Sequence, residues 1–277
     1  MEVFVRNQAY QGPVRAVVLD WAGTAVDYGC VGPVAVFIEV FARRGVQVTT
    51  AEARGPMGLM KKDHVRRMCE TASVAAKWRA AHGRDPQEAD VEAMYQEVEP
   101  LMVSSVGRTA DPVPGLADAL TAFRRAGIGI GSCTGYTTPI MRVLVEEARK
   151  RGYQPDSVVC PSQVPAGRPY PWMCYQNAIN LQVYPMEAMV KIGDTVSDIH
   201  EGLNAGMWTI GVTRTGNELG LTEAEAAALH PADLTKRLIA IGGRLRSEGA
   251  HYVTDGIWEC PALIEDINHR LAKGERP

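Results

Sequence analysis

Short runs of β-branched and apolar residues alternate with helical patterns along most of this chain, and polar loops follow the runs. The first run, Val14–Leu19, has the composition of a strand buried on both faces, and it ends in Asp20. Further strands are predicted at residues 128–132, 157–160, 189–193 and 207–212, with an edge strand within 250–255. Strands that alternate with helices predict an α/β fold with a doubly wound, Rossmann-like parallel sheet.

The strand pattern is interrupted between Gly29 and Gly107, where the periodicity is helical. Three helices are predicted in this segment, at residues 34–44, 57–81 and 88–106. We therefore predict a helical cap domain inserted into the α/β core. The predicted domains are a core of residues 1–28 and 108–277 and a cap of residues 29–107.

The composition excludes several classes of protein. A net charge of −3 gives no electrostatic reason to expect binding to nucleic acid or to an acidic membrane surface. The apolar runs are too short to span a membrane, and residues 1–7 lack the layout of a signal peptide, which predicts a cytoplasmic protein. Six scattered cysteines without a C-x-x-C pair indicate reduced thiols rather than disulfides or a zinc site.

Residues suited to chemistry follow four of the predicted strands: Asp20, Thr134 with Gly135, Arg168, and Asp194. Because the carboxyl ends of parallel strands lie at one edge of a sheet, these residues are expected to converge. Asp20 and Asp194, with a loop carbonyl and water, suit Mg²⁺. Thr134 and Gly135 precede a helix N-terminus, and Arg168 adds a positive charge, so together they suit a phosphoryl or phosphonyl group.

This order of motifs resembles the haloacid-dehalogenase-like superfamily of aspartyl-nucleophile phosphotransferases. Asp20 matches the first motif, Thr134 the second, and the stretch 193–198 the last, while Arg168 stands where a lysine is usual. Most phosphatases of the superfamily carry a second aspartate, the general acid, where this chain has Ala22. Because alanine cannot donate a proton, Ala22 argues against phosphate-ester hydrolysis.

Further stretches narrow the resemblance to the branch of the superfamily that cleaves carbon–phosphorus bonds, the phosphonatases. They lie at residues 20–29, 56–64, 165–175 and 193–198. The resemblance runs from about residue 13 to 255 and includes the predicted cap. Ala25 and Cys133 depart from the pattern, but neither replaces a catalytic group.

The resemblance implies hydrolysis of phosphonoacetaldehyde to acetaldehyde and phosphate. Lys61 would form a protonated imine with the aldehyde, so that the broken bond leaves its electron pair in an enamine and no acid is needed at position 22. Asp20 would attack phosphorus, and water would release phosphate from the aspartyl intermediate. Mg²⁺ would be held by Asp20, the Ala22 carbonyl and Asp194, with Asp198 holding the loop geometry.

Three nearby residues are assigned roles, Met57 from the same resemblance and His64 and Tyr136 from their places near Lys61 and Thr134, with simple packing as the alternative for each. Met57 lies one helical turn before Lys61 and is placed near the imine, His64 is placed as a proton relay, and Tyr136 as a substrate contact. The resemblance also implies a homodimer. The apolar helix at residues 34–41 either supplies its interface or forms the core of the cap.

Two rival functions stay open at this point. One is a phosphatase or a phosphomutase on the same core. Ala22 argues against the phosphatase, and neither activity explains Lys61. The other is a catalytically silent binding or regulatory module. The intact set of Asp20, Thr134, Arg168 and Asp194 argues against that reading.

Overall fold

A computed structural model of the chain describes residues 9–277; residues 1–7, where no signal-peptide layout is predicted, lie outside this range. Six parallel strands form one sheet: β1 (Ala16–Leu19), β2 (Gly129–Cys133), β3 (Ser157–Val159), β4 (Met189–Gly193), β5 (Trp208–Val212) and β6 (Tyr252–Thr254). Their order is β3-β2-β1-β4-β5-β6, so the chain winds outward from β1 in both directions. The predicted doubly wound α/β class is confirmed, and each predicted strand is present.

The central strand β1 fixes where the functional loops emerge. All four of its residues are buried, as expected of a strand with β-branched side chains covered on both faces. Leu19 lies level with Ser132 of β2 on one side and with Ile192 of β4 on the other. The residues that follow these three strands therefore come out side by side at the same edge of the sheet.

Twelve helices surround or extend this sheet within residues 9–277. Five precede β2 in the inserted segment: α1 (Val31–Ala42), α2 (Thr50–Arg54), α3 (Lys61–Glu70), α4 (Ala72–His82) and α5 (Glu88–Ser105). The others belong to the core: α6 (Leu116–Arg125), α7 (Thr138–Lys150), α8 (Trp172–Leu181), α9 (Val196–Asn204), α10 (Glu223–Ala228), α11 (Pro231–Ser247) and α12 (Cys260–Ala272). The domain boundary at residues 29 and 107 stays a prediction.

One helix prediction in the cap is wrong. Residues 57–81 form two helices rather than one, because the backbone of Thr71 is extended (ψ 126°) and its hydroxyl donates to the Arg67 carbonyl in the last turn of α3. Residues 57–60 precede the first of these helices. Lys61 is consequently the first residue of α3, at the end of a loop rather than in the middle of a long helix.

The apolar side of α1 faces the interior of the cap. Phe37, Val40 and Phe41 are fully buried within the chain itself, so these side chains belong to its core, while a dimer interface formed by this helix stays a prediction. The carboxylate of Asp27 accepts hydrogen bonds from the Val31 and Gly32 amides at 3.1 and 3.2 Å, which satisfies two free donors at the start of α1.

The chain crosses between cap and core at two neighbouring places. At the first, Gly29 has a φ of +82° and its amide donates to the Thr215 carbonyl at 2.7 Å; a Cβ there would lie 2.2 Å from the Leu221 carbonyl oxygen. At the second, near the end of α5, Thr109 lies beside Gly32, at 2.8 Å from where a Cβ of Gly32 would be. The two crossings thus lie next to each other.

Two further observations concern the whole described range. No helix within residues 9–277 is long and apolar enough to cross a membrane. All six cysteines are free thiols and are buried: Cys30, Cys69, Cys133, Cys160, Cys174 and Cys260.

Candidate active site

A small cavity lies between the cap and the carboxyl edge of the sheet, with a volume of about 20 Å³. Both domains contribute to its lining: Asp20, Ala22, Cys30, Pro33, Met57, Gly58, Lys61, Thr134, Gly135, Tyr136, Arg168 and Thr195. A space of this size holds about one water molecule. A substrate does not fit in this space, so we expect the predicted cap to move away from the core when a substrate enters.

The cap and the core meet closely at Gly135, in the loop after β2. A Cβ at this position would lie 2.5 Å from the Leu59 carbonyl oxygen of the cap. Only glycine permits this approach, because a methyl group would overlap the opposing backbone. In the same loop the Thr134 hydroxyl accepts a hydrogen bond from the Tyr136 amide at 3.1 Å. The loop leads directly to the N-terminus of α7, which begins at Thr138, so it can hold an anion.

Asp20 lies at the end of β1, buried beside a cation. Its amide donates to the Ile192 carbonyl of β4 at 2.9 Å, which ties the residue to the neighbouring strand. Its Oδ1 accepts from Arg168 Nη2 at 2.7 Å. Burial raises the pKa of Asp20, and the Arg168 charge opposes that rise. The carboxylate is thus held in a fixed orientation at the cavity wall.

Arg168 is fixed by acceptors on three sides. Its Nε donates to Glu201 Oε2 at 2.9 Å, and Nη2 also reaches the Cys133 carbonyl at 3.0 Å and Asp198 Oδ1 at 3.1 Å. Its Nη1 is buried and has no hydrogen-bond partner in the described part of the chain. Arg168 lines the cavity, and the unsatisfied Nη1 donor together with the positive charge suits this side chain to an anionic ligand.

Lys191 and Asp198 form a buried ion pair behind Arg168. Lys191 Nζ lies 2.6 Å from Asp198 Oδ1 and 3.6 Å from Glu201 Oε2. Asp198 also accepts from the Thr195 hydroxyl at 2.6 Å, a contact at the start of α9. These contacts occupy Asp198, which lies outside the cavity lining and orients the residues that do line it.

Asp194 completes a cluster of carboxylates. Its Oδ1 accepts from the Thr24 hydroxyl at 3.2 Å and its Oδ2 from the Asn217 amide at 2.7 Å. Burial, followed by the charges of Asp20 and Asp198, raises its pKa well above the ordinary value. One oxygen from each of the three aspartates lies within 4.8 Å of the others. Since Asp198 is paired with Lys191, a divalent cation fits between Asp20 and Asp194.

Lys61 is the cap residue that faces this cluster, and only 3% of it is exposed. Its Nζ makes neither an ion pair nor a hydrogen bond with the described residues; it lies 4.6 Å from the ring centroid of Tyr136 and 5.7 Å from that of Phe37. Burial, with a smaller contribution from the nearby Arg168 charge, lowers the pKa of Lys61 to about 8 against the opposing effect of Asp20. Near neutral pH this amine is still mostly protonated, but its unprotonated fraction is much larger than that of an ordinary lysine.

The other predicted cap residues differ in position. Met57 lines the cavity, whereas His64 lies outside the lining. Its Nε2 donates to the Ala53 carbonyl at 2.9 Å, and its ring stacks on Phe37 with centroids 3.8 Å apart. Burial, together with the Lys61 charge, lowers the pKa of His64 well below 6.5. The imidazole is therefore neutral, and its role as a relay stays a prediction.

Known proteins are similar to this chain in both sequence and fold. The model of the haloacid dehalogenase-like hydrolases matches residues 14–206. A phosphonoacetaldehyde hydrolase of Nitratidesulfovibrio vulgaris (strain DSM 19637 / Miyazaki F) is 60% identical over 277 residues, covering 100% of this chain and 99% of the relative. The chain belongs to the phosphonoacetaldehyde hydrolase family of the haloacid dehalogenase-like hydrolases.

Two more distant members of the phosphonoacetaldehyde hydrolase family match over most or all of the chain. A phosphonoacetaldehyde hydrolase of Bacillus cytotoxicus is 50% identical over 254 residues, covering 92% of this chain and 96% of the relative. The crystal structure of a phosphonoacetaldehyde hydrolase-like protein from Oleispira antarctica has a TM-score of 0.96 at 37% identity, with full coverage of both chains. The resemblance to this family is confirmed, whereas the division into a core and an inserted cap stays a prediction.

Several residues at this family site were missed by the sequence analysis. Lys191 and Glu201 are fully buried beside Arg168. Lys191 stands inside the apolar strand β4, where a charged residue is costly unless it is paired, and this was the available signal. Thr24 and Asn217, which hold Asp194, lie in loops whose sequence carries no comparable signal.

Proposed function

We propose that this chain hydrolyses the carbon–phosphorus bond of phosphonoacetaldehyde, giving acetaldehyde and phosphate. The observation that carries the proposal is the unpaired, buried Lys61 amine in the same cavity as Asp20 and Arg168. Relatives at 50–60% identity bear the name of this activity. Ala22 lines the cavity without offering a proton donor, which suits a leaving group that needs no proton.

Lys61 begins the reaction in this proposal. Its neutral amine adds to the aldehyde, and loss of water gives a protonated imine. Cleavage at phosphorus sends the bonding electron pair toward the imine nitrogen and forms an enamine, so that no free carbanion appears. Protonation of the enamine carbon and hydrolysis of the imine then release acetaldehyde and restore the Lys61 amine. Met57 from the cap and Tyr136 from the loop after β2 enclose the imine.

Asp20 supplies the nucleophile toward phosphorus. Its Oδ1 is held by Arg168 Nη2 at 2.7 Å, which leaves Oδ2 for the attack. The free Arg168 Nη1, the Thr134 hydroxyl and the Gly135 amide bind the phosphonyl oxygens and place phosphorus in line with the carboxylate. The closed cap excludes bulk water until the aspartyl-phosphate has formed, and water then hydrolyses it to phosphate.

Asp20, Asp194 and the Ala22 carbonyl are the groups proposed to hold Mg²⁺, with Asp198 orienting them from behind. Burial raises the pKa of both carboxylates, and the Asp20 charge adds to the rise at Asp194. A divalent cation would stabilise the ionised form of such a pair. When bound, Mg²⁺ would supply positive charge that stabilises the phosphonyl group. Members of this hydrolase class are generally metal-dependent, and the choice of Mg²⁺ is part of the proposal.

The test compares phosphate release from phosphonoacetaldehyde with that from p-nitrophenyl phosphate, with and without EDTA. We expect release from the phosphonate alone, and loss of that release in EDTA. Lys61→Arg should abolish it because a guanidinium cannot form the imine, whereas the matched Lys62→Arg variant should stay active. An active Lys61→Arg variant would refute the imine, and preferred hydrolysis of p-nitrophenyl phosphate would favour the rival phosphatase.

Borohydride reduction gives a second, direct readout of the imine. Treatment with acetaldehyde and borohydride should add mass to the peptide that contains Lys61 and inactivate the protein. Labelling of Lys62 or Lys191 instead would contradict the proposal. In this proposal the substrate is a small phosphonate. The homodimer and the cytoplasmic location implied by the family resemblance stay predictions.

A further inference from the structure

We infer that the same cavity catalyses a second reaction, the decarboxylation of short aldehydes that carry a carboxylate in place of the phosphonate, such as 3-oxopropanoate. This inference is carried by two residues that line one cavity: Lys61, whose amine is unpaired, and Arg168, whose Nη1 lacks a partner among the described residues. It rests on the imine of the proposed function, but it needs neither Asp20 nor a metal ion.

The recognition elements fit such a substrate. A carboxylate, like a phosphonate, accepts hydrogen bonds, and Arg168 Nη1 is a buried donor that lacks a partner among residues 9–277. The carboxylate group is smaller than the phosphonate group, so space that admits the phosphonate admits it as well. In both molecules one methylene separates the anionic group from the aldehyde, so the aldehyde meets Lys61 in the same place.

The step balances with Lys61 alone as the covalent catalyst. The amine and the aldehyde form a protonated imine with loss of one water. The bond between the methylene carbon and the carboxylate breaks, its electron pair moves toward the imine nitrogen, and CO₂ leaves as the enamine forms. The methylene carbon takes a proton from water, and hydrolysis of the resulting imine returns the lysine and acetaldehyde. A desolvated lysine is the type of amine that performs such chemistry.

Asp20 separates the two reactions. A phosphonyl group must be received by a nucleophile when its bond to carbon breaks, whereas CO₂ leaves as a stable neutral molecule. Asp20 makes no bond in the second reaction. Arg168 also keeps its contacts with Glu201, Asp198 and the Cys133 carbonyl when Asp20 is replaced, so the donor to the substrate carboxylate stays in position.

The experiment measures acetaldehyde and CO₂ from 3-oxopropanoate in EDTA, using wild type, Lys61→Arg, Asp20→Asn and the control Lys62→Arg. We expect the decarboxylation rates of wild type and Lys62→Arg to exceed that of Lys61→Arg by more than about tenfold. Lys61→Arg retains every other amine of the chain, so its rate measures the background reaction of those amines. Asp20→Asn should retain decarboxylation within about fivefold of wild type, since Asp20 makes no bond, and should release no phosphate from phosphonoacetaldehyde. Wild-type protein whose Lys61 has been blocked with acetaldehyde and borohydride serves as a second control, because it lacks the free amine but carries no substitution.

A parallel assay of phosphate release from phosphonoacetaldehyde by wild type with Mg²⁺ separates the two proposals. Wild type that releases phosphate but decarboxylates no faster than Lys61→Arg or the blocked protein overturns this inference alone. Decarboxylation lost in Asp20→Asn overturns it as well. Decarboxylation by wild type without phosphate release supports the inference and overturns the proposed function, and failure of both assays overturns both.

Discussion

Replacing Lys61 by methionine should make the protein more stable, because the buried amine has no ionic partner among the described residues. Burial lowers its pKa from 10.5 to about 8. Each tenfold loss of proton affinity corresponds to about 1.4 kcal/mol, so keeping this lysine protonated in the folded state costs about 3 kcal/mol near neutral pH. Methionine has a similar length and suits the apolar lining around Met57 and Pro33.

The pH dependence follows from the sign of the shift. Below about pH 8, Lys61 is protonated in both the folded and the unfolded chain, so the full cost is present. Between about 8 and 10.5 only the unfolded chain holds the proton, and wild type gains stability relative to Lys61→Met as the pH rises. The advantage of the methionine variant should therefore be largest near pH 7 and should shrink steadily above pH 8.

Urea denaturation in EDTA, followed by far-UV circular dichroism at pH 7 and pH 9.5, measures both quantities. Lys62→Met is the matched control, because Lys62 is partly exposed and forms ion pairs with Glu88 and Glu92; it should give little change or a small loss. A Lys61→Met variant that is less stable than wild type at pH 7, or whose advantage does not depend on pH, would refute the reasoning.

Three other predictions concern the metal ligands, the cap and the amine. Asp194→Asn should keep the fold but remove Mg²⁺-dependent phosphate release. Full release by this variant in EDTA would refute the assignment of Asp194 as a metal ligand. Gly135→Ala should lower kcat because its methyl group meets the Leu59 carbonyl of the closed cap. The control Gly129→Ala, whose methyl group lies 3.6 Å from its nearest neighbour, should leave kcat unchanged. Equal kcat values for the two variants would show that turnover does not require cap closure. Trapping of Lys61 by acetaldehyde and borohydride should rise with pH and level off above about 8; a rise that continues to pH 10 would show an ordinary lysine.

The strands and the loop motifs were predictable because each depends on local pattern. The buried strands have short apolar runs, and the position of Asp20 follows from where the first run stops. The break at Thr71 was not predictable from periodicity, because the apolar residues on both sides of it keep helical spacing. Helix α12 was missed for another reason. It follows β6, the last strand, so no later strand marks its residues as part of the alternation of strands and helices.

The charge network around Arg168 was beyond the reach of the sequence pattern. Lys191 and Glu201 lie far from Arg168 along the chain, and their pairing depends on how β4 and α9 pack beside the loop after β3. The sequence showed that Arg168 replaces a lysine, but not that Glu201 binds its Nε and so leaves Nη1 free. Pairing of this kind is decided by tertiary contacts, which periodicity does not encode.

The two neighbouring crossings between cap and core have a mechanical consequence. A domain joined by one flexible linker can tilt and twist in any direction, whereas two adjacent connections restrict it to rotation about the axis that passes through both. Gly29, held to Thr215 by its amide, and Thr109, packed beside Gly32, mark that axis. We expect every closing swing to follow the same arc, so that Lys61 returns to the same distance from Asp20 in each cycle.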